Sequence, residues 1–515
     1  MAQGQLHVLL QDAPYTDDPL ALYAALSQPG DNSLLLESAE IDTKAGTQSL
    51  LMLDACVRLV CRGRTVTLTA LNANGLPALE LIQHELGGER TDTELTVILA
   101  EADANLDEDS RLKAPSVLET IRLILTRFTA DQGQQHLFMG GTFAYDLIAA
   151  VERLPEVTEG INHCPDFCFY LAETLITLDH VKEQCHLAAC AFDSGEQERL
   201  QARLNTLTTA CGEHHDSPQA NAVLNGKVTT NKSDAEFRAD VERLKGNIVA
   251  GDIFQVVPSR CFTLPCPSPL AAYGKLKQTN PSPYMFYVND EDFILFGASP
   301  ESSVKFDHHD RQVEMYPIAG TRRRGFNPDG SINLDLDGRI ELDLRQDQKE
   351  TAEHLMLVDL ARNDIARISE PGSRYVKDLL SVDRYSHVMH LVSRVVGTLR
   401  ADLDALHGYQ ACMNMGTLTG APKIRASELI REVEGQRRGS YGGAVGYVNG
   451  LGDMDTCIVI RSAFVSQGLA HVQAGAGVVY DSDPQSEADE TRNKAAAVLN
   501  AIALSHGTTL AEVSA

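Results

Sequence analysis

Two pairs of glutamates, each three residues apart, most constrain what this chain can become. Glu350 and Glu353 stand in QKETAEHLMLVDLARND, and Glu487 and Glu490 in DPQSEADETRNKAAAVLN. Each pair heads an apolar pattern of helical period, with Leu357, Leu360 and Ile365 after the first and Ala497, Leu499 and Ile502 after the second. Residues at i and i+3 share a helix face, so a fold that brings the two helix starts together converges four carboxylates on one point. Oxygen donors without a His or Cys set suit Mg²⁺, which keeps several waters and is completed by an anionic substrate. Taken singly, either pair reads first as a solvated helix start, where acids meet the positive end of the dipole.

Length and composition bound the setting. A chain of 515 residues can bury substantial cores in two large or three small domains. The N-terminus MAQGQLHVLLQDAPY has no basic region followed by an apolar run, and no stretch approaches 18 continuous apolar residues. A soluble, cytoplasmic protein without membrane partners is the expectation. The net charge of −27 argues against nucleic acid, whose phosphates it would repel, and leaves Arg322–Arg324 as a local anion site or a surface patch. Eleven scattered cysteines make no C-x-x-C pair. The spacing of Cys164/Cys168 and of Cys185/His186/Cys190 is poor for zinc, which predicts buried structural thiols. Tryptophan is absent altogether, as suits a protein needed when tryptophan is scarce.

Along the chain, residues 1–190 read as an α+β unit: a helix from Pro19, a strand over 33–38 (SLLLES), and β-rich runs flanking the turn Arg62-Gly63-Arg64. A helix near 116–128 follows, then paired Gly140 and Gly141 that imply close backbone packing, then a hairpin around 179–184. Residues 191–232 hold one polar helix and a Ser/Asn/Gly/His-rich linker. A capping box at Ser233/Glu236 opens a helix that stops at Gly251 and begins a second domain, 233–505, before a loose tail at 506–515.

Several loops of this second domain are unlike connectors. In Pro317-Ile-Ala-Gly320-Thr321, Gly320 lets backbone amides approach an anion and Thr321 adds a hydroxyl; a basic surface turn is the alternative. Gly416-Thr417-Leu-Thr419-Gly420-Ala-Pro422-Lys423 fails the phosphate-loop pattern, yet with Pro422 at the first helical position its free amides could hold a carboxylate. In SYGGAVGY and DTCIVIRSAF, alternation puts Cys457, Val459 and Arg461 on one face of an apolar strand, where a guanidinium needs an anionic partner. Gln473-Ala-Gly475-Ala476-Gly477 precedes the second glutamate pair. His390 sits on an otherwise apolar pattern, and Glu301 in a turn-like Ala-Ser-Pro-Glu-Ser; each suits a structural role as well as a catalytic one. A di-iron bundle is excluded, since it needs Glu-x-x-His and His354 follows Glu353 directly.

Taken together, SPES, PIAGTRRRG, ETAEHLMLVDLARND, MNMGTLTGAPK, GSYGGAVGY, DTCIVIRSA and QAGAGVVYDSDPQSEADETRNKA resemble the chorismate-utilising enzymes, and among them the anthranilate synthase component I family. They cover most of 233–500, and LLLESAEID resembles the family's regulatory segment. The resemblance implies an α+β fold of large mixed and antiparallel sheets packed with helices, a regulatory first domain docked on a chorismate-binding catalytic domain. It implies a Mg²⁺-dependent lyase of tryptophan biosynthesis that turns chorismate and ammonia into anthranilate and pyruvate through aminodeoxyisochorismate. No glutaminase signal is appended, so the ammonia would come from a glutaminase partner chain (component II), in a hetero-oligomer, expected to be a heterotetramer.

Carried onto this sequence, the resemblance makes Glu353 and Glu490 direct Mg²⁺ ligands, with Glu350 and Glu487 close by or acting through water, and Lys494 tethering the cluster. The ion would hold the ring carboxylate of chorismate, which Gly320, Thr321 and Thr417 would line. Tyr441, Arg461 and the amides around Gly475, Ala476 and Gly477 would bind the enolpyruvyl carboxylate. Glu301 would protonate the departing C4 hydroxyl, and His390 would help pyruvate elimination. Relatives that add water carry a lysine base where this chain has Gln255, and aminodeoxychorismate synthases carry a lysine where it has Ala319; both departures favour anthranilate over isochorismate, salicylate or aminodeoxychorismate. Feedback inhibition by tryptophan is expected at Glu37 and Ser38 with Pro283, Tyr284, Met285 and Cys457. A catalytically silent tryptophan-binding regulator is a third reading, against which the four intact glutamates stand.

Overall fold

The computed structural model describes residues 4–38, 48–103, 105–220, 222–385 and 388–514. Antiparallel pairing dominates. Among the described residues, 23 strands belong to one continuous hydrogen-bonded network, so the first 190 residues are not a separately closed sheet. Two seams join them to the rest. Strand Ser33–Glu37 lies between Gln48–Arg62 and Tyr284–Asn289, with Glu37 opposite Met285. Strand Phe138–Phe143 lies between Phe167–Asp179 and Ala444–Asn449. At this second seam the expected close approach is seen: a Cβ on Gly141 would stand 2.2 Å from the Cys168 carbonyl oxygen, which only glycine avoids.

Local chemistry accounts for the elements. Strands Gln48–Arg62 and Thr65–Ala70 meet at a tight turn where Gly63 takes φ +61°, and Phe167–Asp179 and Gln184–Ala191 form the expected hairpin. Helix Asp234–Ala250 starts at the Ser233/Glu236 capping box and ends on left-handed Gly251. Helix Gln348–Ala366 begins at Asp347, whose carboxylate accepts from the amides of Lys349 and Glu350. It buries Leu357, Val358, Ala361 and Ile365 over strands Ile318–Arg323 and Val388–Thr398. Helix Pro484–Ser505 packs on Asp234–Ala250 and Pro269–Thr279. Burial of its Val498, Leu499 and Ile502 contributes about 1.5–3 kcal/mol each.

Three local expectations change. The polar helix Gln197–Cys211 is part of the first unit's core, because Leu200, Leu204 and Leu207 recur on one face and are fully buried. The last residues, read as a loose tail, form a short helix Leu510–Ser514: Val513 is buried and its carbonyl accepts from the Val228 amide at 2.8 Å. Pro422 caps the helix Lys423–Glu434 from one position earlier than expected. All eleven cysteines are buried and free, as structural thiols should be.

Candidate active site

Both helix starts open onto one cleft of about 570 Å³. Glu350 and Glu353 reach it from the first turns of Gln348–Ala366, Glu487, Glu490 and Lys494 from Pro484–Ser505. The other sequence-derived candidates Gln255, Glu301, Gly320, Thr321, His390, Thr417, Tyr441, Arg461, Gly475 and Gly477 line the same cleft. Ala476 does not; it is fully buried behind the wall. The first turn of Lys423–Glu434 is also not part of the lining, and Lys423 instead ties Asp364 and the Cys412 carbonyl at 2.7 and 2.8 Å.

The four glutamates are neutralised unequally. Arg322 donates to Glu350 at 2.8 Å and to Asp347 at 2.8 Å, and Lys494 pairs with Glu490 at 2.6 Å while donating to the Gly475 carbonyl. Burial raises the pKa of Glu353, and the neighbouring Glu350 and Glu490 charges raise it further. Glu487 is raised by burial, lowered by a Ser482 hydrogen bond, and raised again by Glu490. The carboxylate excess therefore centres on Glu353 and Glu487, which form no ion pair among the described residues. Among the described residues, the His/Cys/Asp/Glu group whose ligand atoms all lie within 4.8 Å is Asp307, His308 and Asp453, outside the cleft. No three of the four glutamates close to that spacing. Hard oxygen donors, mutual repulsion and open spacing fit a divalent ion that keeps waters.

Each glutamate pair is held from behind. Arg260, 1% exposed, bonds Thr491 Oγ1 and the Ala488 carbonyl at 2.9 Å, pairs with Asp234, and lies 5.2 Å from the rings of Phe237 and Phe262. That grip fixes the turn between Glu487 and Glu490. On the other helix, Gln255 Nε2 donates to Glu353 Oε1 at 2.8 Å. Gly477 makes room for this pair: a Cβ there would stand 2.8 Å from Gln255 Nε2 and 3.3 Å from Glu353 Oε1.

The remaining groups form an acid and an anion seat. Burial pushes the Glu301 carboxyl up to about 8, partly offset by the Thr417 hydroxyl, which donates to its Oε1 at 3.0 Å. His390 shares a 2.8 Å hydrogen bond between Nδ1 and Thr321 Oγ1, and burial with nearby Arg461 pushes it down to about 4, so it is neutral at pH 7. Arg461 departs from expectation. It lies outside the strands, between Met454–Ile458 and Ser462–Ser466, at φ +49°. A non-glycine residue held there stores strain of about 1–3 kcal/mol, which breaks the strand and turns the guanidinium into the cleft. Among the described residues it has no ion-pair partner, and burial lowers its pKa.

The residues expected to sense tryptophan are brought near one another at the first seam. Glu37 pairs with Met285 across the strands and is buried against the Tyr273 hydroxyl and Lys277 ammonium. Ser38 is exposed at the strand's end, Pro283 precedes Tyr284, and Tyr284 lies close to Cys457 and bonds Asp455 at 3.1 Å. Sequence reasoning missed Lys349, which also lines the cleft, as does Arg323 of the run read as a local anion site or a surface patch. A signal existed for Lys349: a cation in a helix's first turn opposes the dipole.

A sequence model of the chorismate binding enzymes matches residues 85–500. Anthranilate synthase component 1 of Vibrio cholerae is 59% identical over 508 residues, covering 97% of each chain. The Escherichia coli K12 protein of the same name is 56% identical, covering 97% of this chain and 98% of its own. Among solved structures, anthranilate synthase component I from Streptococcus pneumoniae matches with a TM-score of 0.68 at 30% identity, covering 90% of this chain and 94% of that one.

Proposed function

The chain belongs to the chorismate-binding enzymes and, within them, to the anthranilate synthase component 1 family, and from that premise we propose that it converts chorismate and ammonia to anthranilate and pyruvate. The observation that carries the choice of product is Gln255: buried in the cleft and committed to Glu353, its amide offers no base for water. Ala319 likewise offers no amine. Ammonia brings its own lone pair and needs neither.

In this reading Arg461, held without a protein anion, takes the enolpyruvyl carboxylate, with the Tyr441 hydroxyl and the Gly475–Gly477 backbone beside it. Gly320, Thr321 and Thr417 line the ring carboxylate. The ammonia nitrogen forms a bond to the ring as the C4 hydroxyl leaves, Glu301, protonated at neutral pH, gives that oxygen its proton so that water departs, and the new ammonium releases one proton to become the amine. Neutral His390 then accepts the proton of the amine-bearing ring carbon as the bond from the ring to the enolpyruvyl oxygen breaks, and the departing enolate takes up a proton at its methylene carbon to give pyruvate. Glu353 and Glu490, with Glu350 and Glu487 behind them, would hold Mg²⁺, which supplies positive charge to anchor the ring carboxylate.

The number in the relatives' name supports a second component; that it is a glutaminase supplying ammonia, in a heterotetramer, follows from the family resemblance alone. Tryptophan feedback at Glu37, Ser38, Pro283, Tyr284, Met285 and Cys457 is supported by their meeting at an interface between the two halves and by the absence of tryptophan from the chain. No helix of the described residues is long and apolar enough to cross a membrane, in keeping with a cytoplasmic enzyme. Anthranilate fluorescence from chorismate, Mg²⁺ and ammonium, with and without tryptophan, tests the reading. A nitrogen-free product overturns it.

A further inference from the structure

The Arg322–Arg324 run divides into three fates. Arg322 is spent on Asp347 and Glu350, and Arg324 on buried Asp337 at 2.9 Å and the Tyr385 carbonyl at 2.7 Å. Arg323 between them is exposed, lines the cleft beside its cross-strand neighbour Val388, and has no ion pair among the described residues. From the neighbouring helix comes a second such cation. Lys349 is exposed, lines the same cleft, forms no ion pair among the described residues, and lowers the pKa of both Glu353 and Glu487 through its charge.

Two unpaired cations on one rim are unexpected in a chain with 71 acidic and 44 basic residues, where carboxylates are plentiful. Lys349 also works against its helix dipole. Their setting explains them. Five carboxylates line this cleft, Glu301, Glu350, Glu353, Glu487 and Glu490, and a substrate with two carboxylates of its own approaches a molecule of net charge −27. Without local positive charge at the mouth, entry is opposed. We propose that Lys349 and Arg323 form a cationic rim whose field attracts the dianionic substrate to this acidic mouth, on the way in and in the bound complex alike. The inference rests on the chorismate reading above and assigns substrate recruitment to two cleft residues that the proposed chemistry leaves without a role.

Because both side chains are exposed and unpaired, truncating them leaves the packing intact. The test is chorismate binding at saturating Mg²⁺ without ammonium, by titration calorimetry at 20 mM and 500 mM NaCl, for Lys349→Gln, Arg323→Gln and the double variant. Each single change should raise Kd about fivefold at low salt, and the double about 20-fold. The gap should close at 500 mM, where screening acts within roughly 4 Å. Lys182→Gln, an exposed cation on a remote hairpin, controls for total charge and should bind as wild type does. Wild-type affinity in the double variant at low salt overturns the rim, as does a loss that salt leaves unchanged. A wild-type protein that binds no chorismate overturns the function itself, a separate and recognisable failure.

Discussion

The Thr417 hydroxyl donates to Glu301 Oε1 at 3.0 Å inside a site whose burial lifts that carboxyl to about 8. The two effects oppose one another, since a donor favours the charged carboxylate and burial the neutral acid. In the proposed role as general acid Glu301 must be protonated, so kcat/KM for chorismate at constant free ammonia should hold below pH 8 and fall as pH rises through about 8. Thr417→Val removes the donor, raises the Glu301 pKa and should move the alkaline limb of the kcat/KM profile upward. A limb that stays put or moves down would remove Glu301 as its source. Glu301→Gln should lower kcat by about 10²–10⁴.

Gly477 is required by its neighbours and not by its own backbone. A Cβ there meets Gln255 Nε2 at 2.8 Å and Glu353 Oε1 at 3.3 Å, both ends of flexible side chains that can yield without disturbing the sheet. Gly477→Ala should therefore fold normally yet push the amide off Glu353. Partners that orient a ligating carboxylate typically change metal affinity by about 10–100-fold when lost. The Mg²⁺ concentration for half-maximal activity should rise by about that factor, read from activity against Mg²⁺ at fixed chorismate. An unchanged Mg²⁺ requirement would show that the Gln255–Glu353 bond does not position the glutamate.

The parts legible in the sequence were those governed by local chemistry. The helix starts bearing Glu350/Glu353 and Glu487/Glu490 announced themselves by acid pairs ahead of 3.6-period apolar runs, the Ser233 capping box and Gly251 by cap residues. What the sequence could not convey is set by distant strands. Alternation through DTCIVIRSAF suggested a continuous strand, but tertiary packing breaks it at Arg461. Nor does any local pattern tell that Arg322 and Arg324 find Asp347 and Asp337 while Arg323 forms no ion pair among the described residues. The assembly of candidates into one cleft was reached through family resemblance, because spacing alone left the glutamate pairs as ordinary helix starts.

Arg58 and Asp290 fasten the first half of the chain to the second. Arg58 Nε and Nη2 bond both Asp290 oxygens at 2.9 and 2.8 Å, and the Tyr170 hydroxyl donates to Asp290 at 2.6 Å, all out of water. Losing one member of a buried pair strands the other, at a cost of about 3–5 kcal/mol. Asp290→Asn should cost about 3 kcal/mol, the low end, because Arg58 keeps Asp292 and Glu291 at the surface. Urea unfolding measures it; a loss below about 1 kcal/mol would mean the exposed acids suffice.

Gln255→Lys tests why this cleft selects ammonia. Gln255 is 2% exposed, with Nε2 already 2.8 Å from Glu353 Oε1, so a lysine there would sit beside a carboxylate in a largely desolvated place. Desolvation lowers a lysine's pKa, while the carboxylate raises it. Where the balance leaves part of the amine neutral near pH 8, it can take a proton from water and make a nucleophile the native amide cannot. The variant should then form a nitrogen-free hydroxylated product in ammonium-free buffer, at roughly 10²-fold below the wild-type ammonia rate, detectable by chromatography of the products. The yield should rise with pH as the neutral amine fraction grows. If the variant turns over only with ammonium at every pH, the absence of a base at residue 255 is not what excludes water, and the choice of nucleophile must be sought elsewhere in the cleft.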